Sequence, residues 1–315
     1  MKTTSVKENI PLKYFLEYSF LRFFERFFSL FPDKTVAWLG RRLGDLLWLF
    51  FPYRLKVMVI NLGIVFPQWS RRQILKKAHK IYRFFGEVSA TYFILHRKSM
   101  ITKILNTEDD SPELFSHLLS QGKGILYATL HCGHWEALVA YWQLTKLPFS
   151  GIYKVQKNPL SHKFFDQRRL KFGDTLELLE SKRGISAFVE NIQSNRVVVN
   201  AIDQSARSRG IEMSFFGEII EAPRGNAKMK ILSGAPLVFG YHRYVNGHYY
   251  LHKKEIPLKA MTEINDENIR YINEILLREA EEVIRNHPEQ WMWFHKLWKG
   301  KYKVAFRRKW YEFFL

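Results

Sequence analysis

Between residues 12 and 31, Ser19, Arg22, Arg26 and Ser29 recur at helical spacing while Phe and Leu fill the rest of the wheel. That pattern predicts an amphipathic helix with a broad apolar face. Pro32 and Asp33 end it, and a second apolar helix is predicted around 35–50, stopped before Pro52. Residues 55–104 read as helical with a break at Phe66-Pro67-Gln68-Trp69-Ser70, where Ser70 is placed to cap the next helix. The character then changes. Runs at 124–130, 150–154, 196–202, 236–244 and 248–256 are short and rich in Val, Ile and Tyr, with helical or turn-rich segments between them. Strands alternating with helices predict an α/β fold, a central sheet flanked by helices. A long helix over 266–287 and a basic aromatic tail close the chain. With no internal repeat or long linker, the expected division is an N-terminal helical extension over 1–52, a catalytic domain over 53–299 and a tail over 300–315.

Composition narrows the partners. Apolar residues make up 47% of the 315 and aromatics 16%, which excludes a disordered chain. Lys and Arg number 49 against 30 Asp and Glu, a formal charge of +19 that calls for an anionic partner. Phe23-Phe24, Phe27-Phe28 and Trp48-Leu49-Phe50-Phe51 set large apolar side chains beside cations, as does Trp310-Tyr311-Glu312-Phe313-Phe314-Leu315. Such mixing suits a lipid headgroup interface better than a nucleic-acid backbone. No zinc finger, RRM consensus or basic zipper is present, so nucleic acid is not the expected partner. Glu17, Arg22, Glu25 and Arg26 interrupt the N-terminal apolar region and argue against both a cleavable signal and a clean transmembrane span. The single cysteine, Cys132, allows no internal disulfide and fits a reducing compartment.

The most informative stretch is His131-Cys132-Gly133-His134-Trp135-Glu136, directly after the apolar run 124–130. Five residues of continuous helix turn through about 500°, so His131 and Glu136 would diverge if both were helical. With His131 in the turn after the strand and Glu136 in the first turn of a helix, the carboxylate can reach back to one ring nitrogen. The other nitrogen is then left for a substrate hydroxyl, a general-base arrangement. The same residues read equally as a plain strand-to-helix junction with a capping histidine. His134 is expected on the exposed side of the helix start.

Three further clusters sit where ligand-binding loops are expected, beyond the carboxyl ends of strands. They are 153–159 with Arg168, Arg169 and Gly173; 201–204 with Asp203; and 214–217 leading to Arg224. Lys154, Arg169 and Arg224 are candidates for holding a phosphorylated headgroup, although a lone surface cation is ordinarily just solvated. Asp203, after the most apolar strand, is either part of the site or a local hydrogen-bond acceptor. His131, His134 and Glu136 do not match the HExxH zinc pattern, and Cys132 beside His131 is weak evidence for a nucleophile.

Taken together, these clusters resemble the lipid A biosynthesis acyltransferase family, within the wider acyltransferases that share a His-x4-Asp/Glu motif. The matching residues are His131-x4-Glu136, Lys157-Asn158-Pro159, Arg169-x3-Gly173, Asp203-Gln204 and Phe215-Phe216-Gly217, with Asn61-Leu62 and Phe66-Pro67 upstream. The segment Pro288-Glu289-Gln290-Trp291-Met292-Trp293-Phe294-His295 is the most specific of them. The chain departs from the pattern at His134, where Asn is common, and at Lys296-Leu297-Trp298-Lys299.

The resemblance implies a glycerolipid-acyltransferase-like fold with a mixed sheet and an N-terminal membrane anchor on the cytoplasmic face of the inner membrane. It implies acyl transfer from acyl carrier protein or acyl-CoA to a hydroxyl of a lipid A precursor, without metal or organic cofactor. His131 and Glu136 would be the catalytic pair, and Arg169, Arg224, Lys154, Asn158 and Asp203 the oxyanion or substrate-binding residues. The alternatives are another glycolipid or lysophospholipid acceptor, or a non-catalytic membrane-binding scaffold.

Overall fold

The computed structural model describes residues 10–305. Five helices come first: α1 (Leu12–Ser29), α2 (Asp33–Phe50), α3 (Leu55–Val65), α4 (Arg71–Tyr92) and α5 (Lys98–Leu105). Then follow β1 (Glu108–Asp109), α6 (Leu114–Leu119), β2 (Ile125–Thr129), α7 (Trp135–Leu144), β3 (Phe149–Tyr153) and α8 (Pro159–Arg169). After these come β4 (Leu176–Glu180), α9 (Ile185–Gln193), β5 (Val197–Ala201), β6 (Ile211–Phe215), β7 (Glu218–Ala222) and α10 (Gly225–Ser233). The last elements are β8 (Leu237–Val245), β9 (His248–Glu255), α11 (Asp266–Asn286) and α12 (Lys299–Ala305).

The seven-stranded sheet runs in the order β1-β9-β8-β2-β5-β3-β4. Strands β8, β2, β5, β3 and β4 are mutually parallel and β9 is antiparallel to β8, so the sheet is mixed and flanked by helices. The central strands are apolar on both faces, as parallel strands covered by helices must be: Leu126 and Val198 face one layer, Tyr127 and Val197 the other, all fully buried. The Ser70 hydroxyl accepts from the Gln73 N–H at 3.3 Å while Gln73 Oε1 accepts from the Ser70 N–H at 2.7 Å, a reciprocal cap that starts α4.

Four strands are not visible in the hydrophobic pattern: β1, β4, β6 and β7. The stretch 214–217, expected to be a substrate-binding loop, closes a separate β6–β7 hairpin. Phe215 stacks on Trp298 with ring centroids 5.9 Å apart, and Phe216 and Gly217 form the turn at φ 54° and 75°.

The first two helices are built into the body by specific contacts. On α1, Phe28 is buried, Leu21, Phe24 and Phe27 are partly so, and polar groups reach α8. Asn158 Nδ2 donates to Tyr14 O at 2.9 Å, Ser161 Oγ to Glu17 at 2.5 Å, and Arg168 pairs with Glu25 at 2.5 Å. On α2, Gly40 and Gly44 let the backbone meet α4 at Gly86; a Cβ on Gly40 would lie 2.6 Å from Gly86 O. The outer faces keep Phe15, Leu16, Phe20 and Phe23 of α1 and Trp38, Leu46, Leu49 and Phe50 of α2 exposed. Among the described residues no single helix is long and apolar enough to cross a membrane; α2 and α3 pass that test only together, and they are bent by 98°.

Candidate active site

Strands β2 and β5 are parallel neighbours, with Thr129 paired to Ala201. Two residues beyond each paired end stand His131 and Asp203, brought level by the register although 72 positions apart in sequence. His131 Nδ1 lies 2.8 Å from Asp203 Oδ1, and the His131 backbone N–H donates to Asp203 Oδ2 at 2.7 Å. The Trp291 indole N–H completes the grip on Oδ2 at 2.8 Å. The carboxylate is only 1% exposed and the imidazole 24%, so the ring is reachable while its anion is sealed.

This corrects the local reading. The carboxylate that holds the imidazole is that of Asp203. Glu136, in the first turn of α7, faces α8 instead: Arg169 Nε donates to Oε2 at 3.0 Å and Nη2 to Oε1 at 2.5 Å, a forked pair. Arg169, expected as an oxyanion donor, thus has these two nitrogens engaged by Glu136.

Electrostatics follow from these contacts. Burial pulls the His131 ring towards its neutral form, but the Asp203 charge and hydrogen bond, with a smaller push from Glu136, override it and raise its pKa. Burial likewise works against both carboxylates. His131 and Trp291 hold Asp203 below the usual range, and Arg169 does the same for Glu136. Held by Asp203, Nδ1 carries the proton, and Nε2 is the open nitrogen. The Gln204 side-chain nitrogen sits 3.3 Å from it, and the Trp135 ring meets the imidazole edge-on at 5.6 Å.

The Nε2 side opens on a cavity of about 660 Å³. Its mouth is polar, with Lys154, Gln156, Arg169, Gln204, Ser205 and Arg209; its depth is apolar, with Leu138, Trp142, Phe149, Leu176 and Val199. The cavity lies between α7 and the sheet, at the carboxyl ends of parallel strands where ligands of α/β proteins bind.

The other candidates separate. Lys154, one residue past β3, lines the mouth. Asn158 does not: its side chain caps α8, accepting from Leu160 N at 3.0 Å, and ties down α1. Arg224 belongs to another edge, paired with Asp266 at 2.6 Å, so it joins no phosphate site with Lys154 and Arg169. His134 is the opposite of exposed. It is fully buried, bonded to Thr91 at 3.3 Å, and burial drives its pKa to about 4. Cys132 is buried, and its thiol is pushed up by that burial, which leaves no thiolate at neutral pH. Among the described residues no group of three or more His, Cys, Asp or Glu is arranged to hold a metal ion.

Gln204 and Trp291 complete the geometry and had no role assigned from sequence. Both stand in the quoted motifs, and only the adjacency of β2 and β5 reveals what they touch. The 288–295 segment is attached to the histidine turn itself: Met292 N donates to His131 O and Gly133 N to Gln290 O, each at 3.0 Å.

The family model described as bacterial lipid A biosynthesis acyltransferase matches residues 5–300. A lipid A biosynthesis lauroyltransferase of Escherichia coli is 24% identical over 280 residues, covering 86% of this chain and 87% of its own. A phosphatidylinositol mannoside acyltransferase of Mycobacterium tuberculosis is 23% identical over 219 residues, 69% of this chain and 67% of its own. Its counterpart in Mycolicibacterium smegmatis is 26% identical over 132 residues, 41% and 43%.

Proposed function

The chain belongs to the bacterial lipid A biosynthesis acyltransferases, and we propose that it moves a fatty acyl group from acyl carrier protein or acyl-CoA to a hydroxyl of a lipid A precursor. The observation that carries this reading is the His131–Asp203 hydrogen bond at the edge of a cavity with a cationic mouth and an apolar depth. A thioester donor needs that combination: phosphate outside, hydrocarbon inside, and a base at the junction.

In this mechanism His131 Nε2 takes the proton of the acceptor hydroxyl as its oxygen attacks the thioester carbonyl carbon. The C=O π electrons move to oxygen, forming a tetrahedral oxyanion. When the carbonyl reforms, the C–S bond breaks and the imidazolium returns its proton to the leaving thiolate, giving ester and free thiol. Asp203 keeps Nδ1 protonated and stabilises the imidazolium, the role of an orienting carboxylate, and no enzyme nucleophile takes part.

The N–H groups of His131, Cys132 and Gly133 are already bonded, to Asp203, Leu130 O and Gln290 O. That leaves the oxyanion to the Gln204 amide, the Arg169 guanidinium held by Glu136 and the backbone N–H groups at the start of α7. One such donor is worth about 2.7–4 kcal/mol to the barrier. Lys154 at the mouth meets the donor's phosphate. The exposed aromatic faces of α1 and α2 rest on the anionic cytoplasmic leaflet of the inner membrane, which the formal charge of +19 favours.

The test is acyl transfer followed by mass spectrometry, with a lipid A precursor and a phosphatidylinositol mannoside offered side by side. A gain of one acyl chain on the lipid A precursor supports the reading. A gain only on the mannoside transfers the assignment to that glycolipid, and no gain on either overturns it.

A further inference from the structure

Resting on the acyl-transfer reading, we infer that Trp142, braced by Phe149, forms the floor of the acyl cavity and sets the longest chain the enzyme accepts. The cavity has a direction. Helix α7 starts beside the histidine turn, and Trp142 is seven residues further on than Trp135, about 10 Å away along the helix. On the sheet side, Tyr153 and Ala201 end their strands near the site, whereas Phe149 and Leu176 begin theirs at the far end. The four residue steps from Tyr153 back to Phe149 span about 13 Å. Both measures place the floor at the same depth.

Trp142 is fixed there by packing. Its ring meets Phe149 at 5.2 Å, Tyr127 at 5.0 Å and Phe115 at 5.8 Å, and it is 2% exposed. An aromatic held on three sides has no room to swing aside for a longer chain, because packed interiors yield little. An extended hydrocarbon advances about 1.25 Å per carbon, for bonds of about 1.52 Å meeting at about 111°. A depth of about 10–13 Å takes a chain of about 8–11 carbons.

A second position probes the same ruler from the side. Gly151 lines the cavity on the strand face shared with Phe149, two residues nearer the site. A Cβ there would meet only Leu176 Cδ1, at 4.0 Å, so the backbone tolerates a side chain that would fill the middle of the cavity.

The experiment offers the purified protein an equimolar panel of acyl thioesters from 8 to 18 carbons and reads the product lengths by mass spectrometry. Trp142→Ala is expected to move the preferred length up by about two to four carbons, the reach of the indole it removes. Gly151→Val is expected to move it down, and it decides the matter if Trp142→Ala does not fold. A mere loss of packing would lower all products alike and leave their ratio unchanged. An unchanged ratio in the folded variants overturns the floor while leaving the transfer reaction intact. Absence of transfer by the unmodified protein overturns the reading beneath both.

Discussion

His131 and Asp203 occupy equivalent positions beyond two adjacent parallel strands, and their side chains meet at 2.8 Å. Sheet register does this: once Thr129 pairs with Ala201, the residue two places beyond each strand is delivered to the same level. The predicted base and its orienter are therefore separated by a whole α7-β3-α8-β4-α9-β5 excursion in sequence and by one hydrogen bond in space.

Asp203→Asn keeps the shape of the contact and removes the charge. It is expected to lower kcat by about 10²–10⁴-fold, because the ring loses the anionic acceptor of its Nδ1 proton and takes the wrong tautomer. Steady-state kinetics with a far-ultraviolet spectrum of the variant check this. Activity within a few-fold of the unmodified enzyme would remove Asp203 from the mechanism.

Glu136→Gln acts differently, through Arg169. The forked ion pair is partly exposed at both ends, 14% and 24%, so leaving the guanidinium unmatched costs about 1–3 kcal/mol, less than for a fully buried pair. The melting temperature is expected to fall, and the double variant Glu136→Gln/Arg169→Gln to recover part of the loss. A double variant no more stable than Glu136→Gln would mean that the pair contributes nothing as a pair.

How much of this was legible in the sequence depends on the range of each interaction. The long helices and apolar central strands follow their periodicity because each buries one face or both against a neighbouring layer. Strand β4, Leu-Glu-Leu-Leu-Glu, lies at the sheet edge and carries too few apolar residues in alternation to stand out. His131 and Glu136 stand out in the sequence, but their partners do not, since the contacts to Asp203 and Arg169 depend on which elements are neighbours. His134 was misplaced for the same reason: nothing within the turn shows that Thr91, Tyr244 and Tyr249 close over it.

The raised pKa of His131 sets the sign of the pH dependence. A base must be neutral, so the acid limb of kcat/KM is expected above the ordinary histidine value of about 6.5, and Asp203→Asn should move it down. For stability the same shift is favourable below about pH 6.5 and is lost as pH rises through the folded value. A pH–rate profile of both proteins tests this; a limb below 6.5 in the unmodified enzyme contradicts it.

His134 and His242 have the opposite sign. Both are buried, and burial lowers them to about 4 and about 3 respectively. Their contribution is complete above about pH 6.5 and is lost as pH falls through the folded values, because the unfolded chain takes up protons that the folded one refuses, a few kcal/mol at most. Melting temperatures between pH 7 and pH 4.5 are expected to fall steadily, and less so for His134→Asn. Equal slopes for the two proteins would remove His134 as a source.

The close approach of α2 to α4 predicts that Gly40→Ala forces the helices apart and costs about 1–3 kcal/mol, since the new methyl would sit 2.6 Å from Gly86 O. Urea denaturation measures it. A neutral substitution would show that the two helices separate freely.

Single-turnover acyl transfer to a lipid A precursor, followed by mass spectrometry for the unmodified enzyme, His131→Ala, Asp203→Asn and Glu136→Gln, tests the central claim most directly. The account predicts transfer nearly abolished in the first two variants, with Glu136→Gln slowed and its acid limb moved down less than that of Asp203→Asn, since the Glu136 charge is the smaller push on His131. Transfer at full rate by Asp203→Asn, with the limb displaced only in Glu136→Gln, would return the orienting role to Glu136 and contradict it.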